Sequence, residues 1–240
     1  MTWDAIEQSN LPVAVVTGGS SGIGARIVRD LARDHNVVAV GRDAERLAAV
    51  AAEVEKEAEA AHASGEPYGR VLPHVVDLMD LEGLENAFRK VPRVDVLVHC
   101  AAIAERFTVE TAKPRDWQRH FATNAIAPAE ITRVLLHRLR DAAGTVVFIG
   151  SGASRVATPG HTVYAASKHA LQVVADGLRQ QVTAEGVRVS TVAPGPTNTP
   201  MSPDADRFRL EPETVARSVR HVVDAPADAQ ITEVWVRPRY

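Results

Sequence analysis

The chain has 240 residues, of which 45% are hydrophobic and 24% charged, and its formal net charge is −3. These values match the averages of soluble globular proteins. They exclude binding to nucleic acid or to an anionic membrane that is driven by a large positive net charge. The first ten residues carry acids and no apolar core, and no apolar run approaches the roughly 18 residues of a membrane span, so we expect a cytoplasmic protein. The single cysteine excludes an internal disulfide, and the scattered histidines show no metal-ligand spacing, so no metal site is predicted.

Seven short runs rich in β-branched residues alternate with longer helical patterns. In chain order they are PVAVVT (12–17), NVVAV (36–40), VLPHVV (71–76), VDVLVH (94–99), TVVFIG (145–150), VRVSTV (187–192) and ITEVWV (231–236). Most are continuously apolar, as strands buried on both faces are. The alternation predicts an α/β, Rossmann-like doubly wound fold with a seven-stranded, mostly parallel sheet and helices on both faces. No linker or repeat divides the chain, so one domain over residues 1–240 is expected, and the stretch at 47–67 is predicted to be a solvated helix.

The sequence TGGSSGIG follows the first strand, at residues 17–24. Gly18, Gly22 and Gly24 lie where the strand ends and a helix begins. Glycine serves there because the turn needs positive φ, a pyrophosphate approaches the backbone closely, and the helix N-terminus offers free N–H groups to an anion. The spacing is not GxGxxG, and a tight turn without a ligand would use the same glycines. The loop therefore predicts a dinucleotide site only together with its context.

Gly41 and Arg42 end the second strand, where an acidic residue would bind the ribose 2′-hydroxyl of NAD. A glycine followed by a guanidinium leaves room and positive charge for a 2′-phosphate, so NADP is predicted in preference to NAD. The alternative is that Arg42 is ordinary solvated charge and that Asp43, a candidate helix N-cap, is the acid of an NAD site one residue further on.

Pro128 stands four residues after Asn124 in the stretch TNAIAPAEITRVLLHRL. A proline has no N–H for the carbonyl four residues earlier, so a continuous helix would leave the Asn124 carbonyl free to hold a water. The alternative is a proline kink, or a helix that begins after Asn124, with no functional consequence.

Tyr164 and Lys168 lie one turn apart on the helix predicted for 161–178. A tyrosine pKa of about 10 is too high for a general base near neutrality, and an adjacent ammonium favours the phenolate, so the pair is a candidate proton-transfer unit. Tyrosine and lysine are also common on amphipathic helix surfaces. Ser151 strengthens the functional interpretation, because it follows the fifth strand, where the carboxyl end of a parallel strand opens into the ligand crevice.

Taken in order, these segments resemble the short-chain dehydrogenase/reductase family over nearly the whole chain. The resemblance rests on TGGSSGIG, Asp77 after the third strand, Asn124, Ser151, the YxxxK of Tyr164 and Lys168, and PGPTNT after the sixth strand. It implies a catalytic tetrad in which Tyr164 is the proton donor or acceptor and Ser151 hydrogen-bonds to the substrate oxygen, with Asn124 and Lys168 as the other members. It also implies that Lys168 binds the nicotinamide ribose and that a water on the Asn124 carbonyl extends a proton relay to solvent.

The cofactor site is likewise implied by the resemblance. Asp77 is expected to contact the adenine ring and Thr199 to reach the nicotinamide carboxamide. The full set of expected cofactor-binding residues is Thr17, Gly18, Ser20, Ser21, Gly22, Ile23, Gly24, Arg42, Asp77, Leu78, Ala101, Tyr164, Lys168, Pro194, Gly195, Thr197 and Thr199.

The chain departs from the family where the fourth strand ends. An Asn-Ala-Gly run is usual there, whereas this chain has Cys100, Ala101 and Ala102. The missing asparagine removes a polar side chain expected to brace the central sheet, and Ala102 brings a methyl close to the cofactor. Cys100 is expected to be a small buried residue, since free cysteines are among the most buried residues; the alternative is a reactive thiol.

The resemblance predicts an enzyme that transfers a hydride between NADP(H) and a small-molecule ketone or secondary alcohol. The alternatives are an NADP(H)-binding sensor without catalysis, a non-redox enzyme on the same fold, and a different nucleotide-binding α/β enzyme such as a methyltransferase. A short substrate lid is expected at about 198–212. A homo-oligomer, dimer or tetramer, is expected from the family and from the helix at 161–185, which is apolar on more than one face.

Overall fold

The computed structural model describes residues 2–156, 159–202 and 208–239. Within these ranges one sheet runs in the order β3-β2-β1-β4-β5-β6-β7, with every neighbouring pair parallel. Its strands are β1 (Val13–Thr17), β2 (Asn36–Gly41), β3 (Val71–Val75), β4 (Val96–His99), β5 (Thr145–Ile149), β6 (Arg188–Pro194) and β7 (Glu233–Val236). The strand order reverses between β1 and β4, where a crevice opens at the carboxyl ends of the strands.

Helices connect the strands. They are α1 (Trp3–Glu7), α2 (Gly22–Leu31), α3 (Ala44–Ala63), α4 (Leu84–Phe88), α5 (Pro114–Phe121), α6 (Ala127–Asp141), α7 (Thr162–Val182) and α8 (Pro212–Val223). A π-helical turn at Ala122–Ile126 joins α5 to α6, and single 3₁₀ turns lie at Gly152–Ser154 and Thr183–Glu185. Among these described helices, none is both long and apolar enough to span a bilayer.

The predicted fold class is confirmed. The end of each predicted strand lies within two residues of the end of the corresponding observed strand. The expectation of a mostly parallel sheet was too cautious, because β7 also pairs in parallel, with β6. Strands β1, β2, β4 and β5 are buried at every position, which accounts for their continuously apolar sequences.

A hydrophobic core lies on each face of the sheet. Successive side chains of a strand point to opposite faces, so Val146 and Phe148 pack with residues of α6 and α7, whereas Val147 packs with residues of α2 and α8. Burying one such apolar side chain stabilises the fold by roughly 1.5–3 kcal/mol. The two cores hold the strand ends, and thus the residues that follow them, in fixed positions.

Helix α3 corresponds to the helix predicted at 47–67, but it begins and ends earlier. It begins at Ala44 because the carboxylate of Asp43 accepts the N–H of Arg46 and caps the first turn. It ends at Ala63, just before Gly65, whose φ of 78° is a left-handed conformation that stops a helix.

Candidate active site

The loop between β1 and α2 is too tightly folded to accept side chains at two of its glycines. Gly18 has a φ of 71°, and a Cβ on it would lie 2.8 Å from the Cα of Ala101. A Cβ on Gly24 would overlap the carbonyl oxygen of Gly18. Ser21 precedes α2 in an extended conformation, and its side chain makes no capping hydrogen bond. The loop therefore presents bare backbone and an uncapped helix N-terminus to the crevice, a combination suited to a phosphate group.

Thr17 ties the carboxyl ends of β1 and β4 together. Its buried hydroxyl oxygen accepts the N–H groups of Cys100 and Ala101, at 3.1 and 3.3 Å. The missing asparagine is expected to remove a polar brace of the central sheet, but Thr17 holds the end of β4 from the neighbouring strand. Cys100 as a whole residue is partly exposed to solvent. Its thiol is nevertheless enclosed, and this burial raises the pKa of the thiol to about 12. A protonated thiol fits the structural interpretation better than the reactive one.

The residues after β2 distinguish the NADP site predicted at Arg42 from the alternative NAD site at Asp43. Arg42 is exposed and has no hydrogen bond or ion pair with any residue in the described ranges. Asp43 caps α3 and its carboxylate lies 3.1 Å from the guanidinium of Arg46. A Cβ at Gly41 would lie only 3.3 Å from the Ser20 hydroxyl, so the absence of a side chain there leaves space beside the loop. Asp43 is thus already engaged, whereas Arg42 is available to a ligand.

Residues after β3 and β6 lie around the same crevice. Asp77 is exposed, and its carboxylate accepts the N–H of Met79 at 3.0 Å. Gly195 donates its N–H to the carbonyl of Val236, at 2.7 Å. The methyl of Thr199 packs against Gly22, since a Cβ on that glycine would lie 3.3 Å from it. The segment after β6 therefore contacts the glycine loop.

The expected lid at 198–212 is described only in part, because residues 203–207 lie outside the described ranges. In the described part, Asn198 donates its N–H to the carbonyl of Leu210, and Leu210 donates to the carbonyl of Pro196, both at 2.9 Å. Met201 and Phe208 flank residues 203–207, with relative exposures of 50% and 46%. Within the described residues, no group of three or more His, Cys, Asp or Glu side chains is placed to hold a metal ion.

Ser151, Tyr164 and Lys168 come together beyond the carboxyl end of β5. Tyr164 lies close enough to the Ser151 side chain for that side chain to act on the pKa of the phenol, and the Ser151 hydroxyl oxygen accepts the N–H of Ala153 at 3.1 Å. Lys168 is 2% exposed, and its Nζ donates to the carbonyl of Ile149, the last residue of β5, at 2.8 Å. The same Nζ lies 5.9 Å from the centre of the Tyr164 ring. One turn of α7 thus places a phenol and a buried ammonium beside a serine hydroxyl.

Burial sets the protonation states of these groups. Burial raises the pKa of Tyr164, and the hydrogen bond with Ser151 only partly opposes that effect. Burial also lowers the pKa of Lys168 to about 8. An adjacent ammonium is expected to favour the phenolate, but in the structure desolvation is the largest influence on the pKa of Tyr164 and raises it. Near neutral pH the site holds a neutral phenol and a lysine that is mostly charged, which is the state required to donate a proton.

Asn124 lies in the π-helical turn and is fully buried. Its Nδ2 donates to the carbonyl of Ile103 and to the Ser167 hydroxyl, both at 2.9 Å, and its Oδ1 accepts the N–H of Ile103 at 2.8 Å. The side chain is thereby used to join the loop after β4 to α7. Its carbonyl cannot bond to the residue four positions on, because that residue is Pro128. The relay water expected on this carbonyl stays a prediction.

Sequence reasoning missed three features of this site. It considered a continuous helix with a free Asn124 carbonyl, a proline kink or a helix that begins after Asn124, and it did not anticipate the π-helical turn. It did not identify Ser167, whose hydroxyl donates to the carbonyl of Tyr164 and accepts from Asn124. It assigned Thr17 to the cofactor and overlooked its role as a brace.

The burial of Lys168 leads to a prediction about stability. In the unfolded chain this lysine titrates near its ordinary pKa of 10.5, but in the folded protein near 8. Because the unfolded state binds more protons between these values, the free energy of unfolding should rise with pH there, by at most about 1.4 kcal/mol per pH unit. Denaturant unfolding of the cofactor-free protein and of Lys168→Met, from about pH 7.5 to 10, isolates the lysine as the difference between the two. A difference that is flat across this window would contradict the buried, depressed lysine.

Comparison with known proteins gives a consistent result. The family described as short chain dehydrogenase matches residues 12–209 of this chain. An uncharacterized oxidoreductase of Staphylococcus saprophyticus is 32% identical over 235 residues, which cover 94% of this chain and 97% of that protein. Among solved structures, an alcohol dehydrogenase from the archaeon Thermococcus sibiricus, complexed with 5-hydroxy-NADP, has a TM-score of 0.83 and 25% identity and covers 95% of this chain and 99% of its own. A metagenomic short-chain oxidoreductase in complex with NADP has a TM-score of 0.79 and 30% identity, covering 95% and 98%.

Proposed function

This chain belongs to the short-chain dehydrogenase/reductase family, and we propose that it is an NADP(H)-dependent oxidoreductase that interconverts a small ketone and a secondary alcohol. The observation that carries the proposal is the Tyr164 phenol, which lies next to Ser151 and has the buried ammonium of Lys168 5.9 Å from its ring centre. Such a phenol is suited to protonating an oxygen that gains negative charge during reduction.

The backbone between β1 and α2 fits a dinucleotide. The bare glycine turn at Gly18 and Gly24 and the uncapped N-terminus of α2 would hold the pyrophosphate. The segment after β6, in contact with this loop through Thr199, would cover the other half of the cofactor. When bound there, the nicotinamide supplies or accepts the hydride.

Tyr164 and Ser151 act on the substrate oxygen. In the reducing direction the Ser151 hydroxyl hydrogen-bonds to the carbonyl oxygen. The Tyr164 hydroxyl gives its proton to that oxygen as the carbonyl carbon receives the hydride, which completes the alcohol. The phenolate left behind is stabilised by the charge of Lys168, whose Nζ lies 5.9 Å from the ring centre. In the oxidising direction the same phenolate takes the proton back.

The preference for NADP over NAD is supported by the end of β2. Arg42 is exposed and without a described partner, whereas Asp43, the acid of the alternative NAD site, caps α3 and pairs with Arg46. Two related structures are described as complexes with NADP or 5-hydroxy-NADP. A guanidinium beside Gly41 is suited to a 2′-phosphate, which only NADP carries.

A titration with both nucleotides tests this preference. Followed by nicotinamide fluorescence, NADPH should bind more tightly than NADH, and Arg42→Ala should weaken NADPH binding by about 10- to 100-fold, the loss of one charge-assisted hydrogen bond. NADH binding should not change in that variant. Arg46→Ala is the matched control, since it removes an exposed arginine four residues on that already pairs with Asp43. Equal weakening of NADPH and NADH in Arg42→Ala, or tighter binding of NADH by the wild type, would overturn the preference.

We also propose that the protein acts in the cytoplasm as a homo-oligomer, a dimer or tetramer. The support from the structure is α7, whose outward face leaves Val173 with a relative exposure of 71%. A light-scattering mass equal to that of the monomer would refute the oligomer.

A further inference from the structure

His99, the last residue of β4, lies in the core behind the candidate active site. The residue is 2% exposed, and its ring stacks on Phe148 of β5 with the ring centres 4.9 Å apart and the planes 24° from parallel. Its Nε2 lies 2.8 Å from the hydroxyl oxygen of Thr132 on α6. Its Nδ1 is buried and has no hydrogen-bond partner among the described residues. A buried polar atom without a partner requires an explanation, because its lost hydrogen bonds to water are not replaced.

The hydrogen bonds around Thr132 determine which ring nitrogen carries the proton. The Thr132 hydroxyl donates its single hydrogen to the carbonyl of Pro128, at 2.8 Å. It can then only accept from His99, so Nε2 carries the hydrogen and Nδ1 carries an unshared lone pair. The ring stays neutral, since burial lowers the pKa of His99 to about 3. Nδ1 is therefore a fixed acceptor that faces no donor within the described part of the chain.

Lys168 is the charged group that shares this interior. His99 is paired in register with Phe148, and the next residue of β5, Ile149, accepts the hydrogen bond from Nζ of Lys168 at 2.8 Å. Among the described residues, Lys168 is the one charge whose field lowers the pKa of the His99 ring. An ammonium has three donors, and one is used at Ile149. A neutral acceptor and a cation with donors to spare thus lie in one buried region.

We propose that His99 is a positioning residue for Lys168, its Nδ1 accepting a hydrogen bond from a water to which the ammonium donates. The water gives His99 Nδ1 a donor and accepts a second hydrogen bond from the ammonium, and that bond favours the charged form of Lys168 next to Tyr164. The consequence for catalysis rests on the proposed function, whereas the effect on the lysine itself does not. The other ionisable groups near Lys168 are Tyr164, one turn earlier on α7, and Cys100, which follows His99; both stay protonated near neutral pH.

Two substitutions at His99 separate this role from simple packing. His99→Asn places an amide oxygen near the position of Nδ1, whereas His99→Leu fills the space without an acceptor. We expect His99→Leu to lower the pKa of Lys168 by about half a unit or more, because the bond to the charged form is lost. The measurement is a pH titration of lysine side-chain ¹³C resonances in the cofactor-free protein, with the Lys168 signal assigned by its absence from Lys168→Met. In His99→Asn most of the wild-type lysine titration should be restored.

His74→Leu is the control for a lost histidine. The His74 ring is also partly buried, packs edge-on against Phe88 at 5.7 Å and hydrogen-bonds to the carbonyl of Ala87. It lies on β3, however, which two strands, β2 and β1, separate from β4 in the sheet. Its loss should reduce stability without moving the Lys168 titration. A Lys168 pKa that is unchanged in His99→Leu, or that moves equally in His99→Asn, would overturn the proposal.

The wild-type protein provides a readout that no folding defect can obscure. Long-range ¹H–¹⁵N spectra of the histidine rings should show His99 as the neutral tautomer with hydrogen on Nε2 from about pH 6 to 9, and a charged ring or the Nδ1–H tautomer would also overturn the proposal. In the enzyme, the rising limb of kcat against pH for alcohol oxidation should move to higher pH in His99→Leu, with KM for NADP unchanged. If the wild type turns over no alcohol or ketone, the proposed function fails while the lysine titration still decides the role of His99.

Discussion

Replacing Tyr164 with phenylalanine should lower kcat by about 10²- to 10⁴-fold, the usual contribution of a positioned general acid or base. The change removes one oxygen and keeps the ring, which packs at the carboxyl end of β5 beside Lys168. Because the glycine loop and the segment after β6 are untouched, the Kd for NADPH should stay within a few-fold of the wild-type value. The measurement is steady-state reduction of ketones with NADPH, together with a fluorescence titration of the nucleotide.

Tyr68→Phe is the matched control. Tyr68 precedes β3, and its hydroxyl donates to Glu57 at 2.7 Å on the protein surface, so its loss should leave turnover unchanged. If Tyr164→Phe kept a substantial fraction of wild-type turnover, Tyr164 would not be the proton donor. A wild-type protein that binds NADPH tightly but reduces no ketone would instead favour the sensor, and a protein that binds neither nucleotide would favour a non-redox role for the fold.

The parts of the fold that sequence could predict are those set by local pattern. Val13, Val15 and Val16 belong to a run without polar residues, and such a run is stable only when both of its faces are covered. Helical stretches of sufficient length separate the seven short runs, most of them continuously apolar, and this alternation predicts a parallel sheet. The ends of strands were less predictable: β6 continues two residues beyond its predicted end, to Pro194, which is in register with Val236 of β7.

Features of the candidate site that depend on contacts between distant segments were beyond sequence reasoning. Thr17 braces β4 through residues more than 80 positions away, with nothing in the local sequence to indicate it. The protonation state of Tyr164 follows from its burial, whereas the spacing to Lys168 suggested only an attractive charge. The tautomer of His99 depends on which acceptor the Thr132 hydroxyl donates to, and that acceptor is the carbonyl of Pro128. In each case the residue types were visible, but the energetics came from the tertiary structure.

Replacing Gly24 with alanine should abolish measurable binding of NADPH in the micromolar range, which is about a 100-fold loss or more if the wild type binds at low micromolar Kd. The added Cβ would overlap the carbonyl group of Gly18, whose carbon would be 2.7 Å away, and it would lie 3.2 Å from the N of Gly19. All are backbone atoms of the loop that would hold the pyrophosphate, so no side-chain rotation relieves the overlap. The loop must move away from α2 and lose its closed shape.

Gly177→Ala tests whether this effect belongs to the loop or to any helical glycine. Gly177 lies in α7, and a Cβ there would meet no atom within 4 Å, so this variant should be more stable by up to about 1 kcal/mol and should bind NADPH normally. For Gly24→Ala we expect a lower Tm without nucleotide and no further rise of Tm on adding NADPH. A normal NADPH-induced rise in Gly24→Ala would mean that the loop yields at little cost. Its glycines would then serve the turn alone, and the case for a phosphate cradle at α2 would fail even if Tyr164 proved essential for turnover.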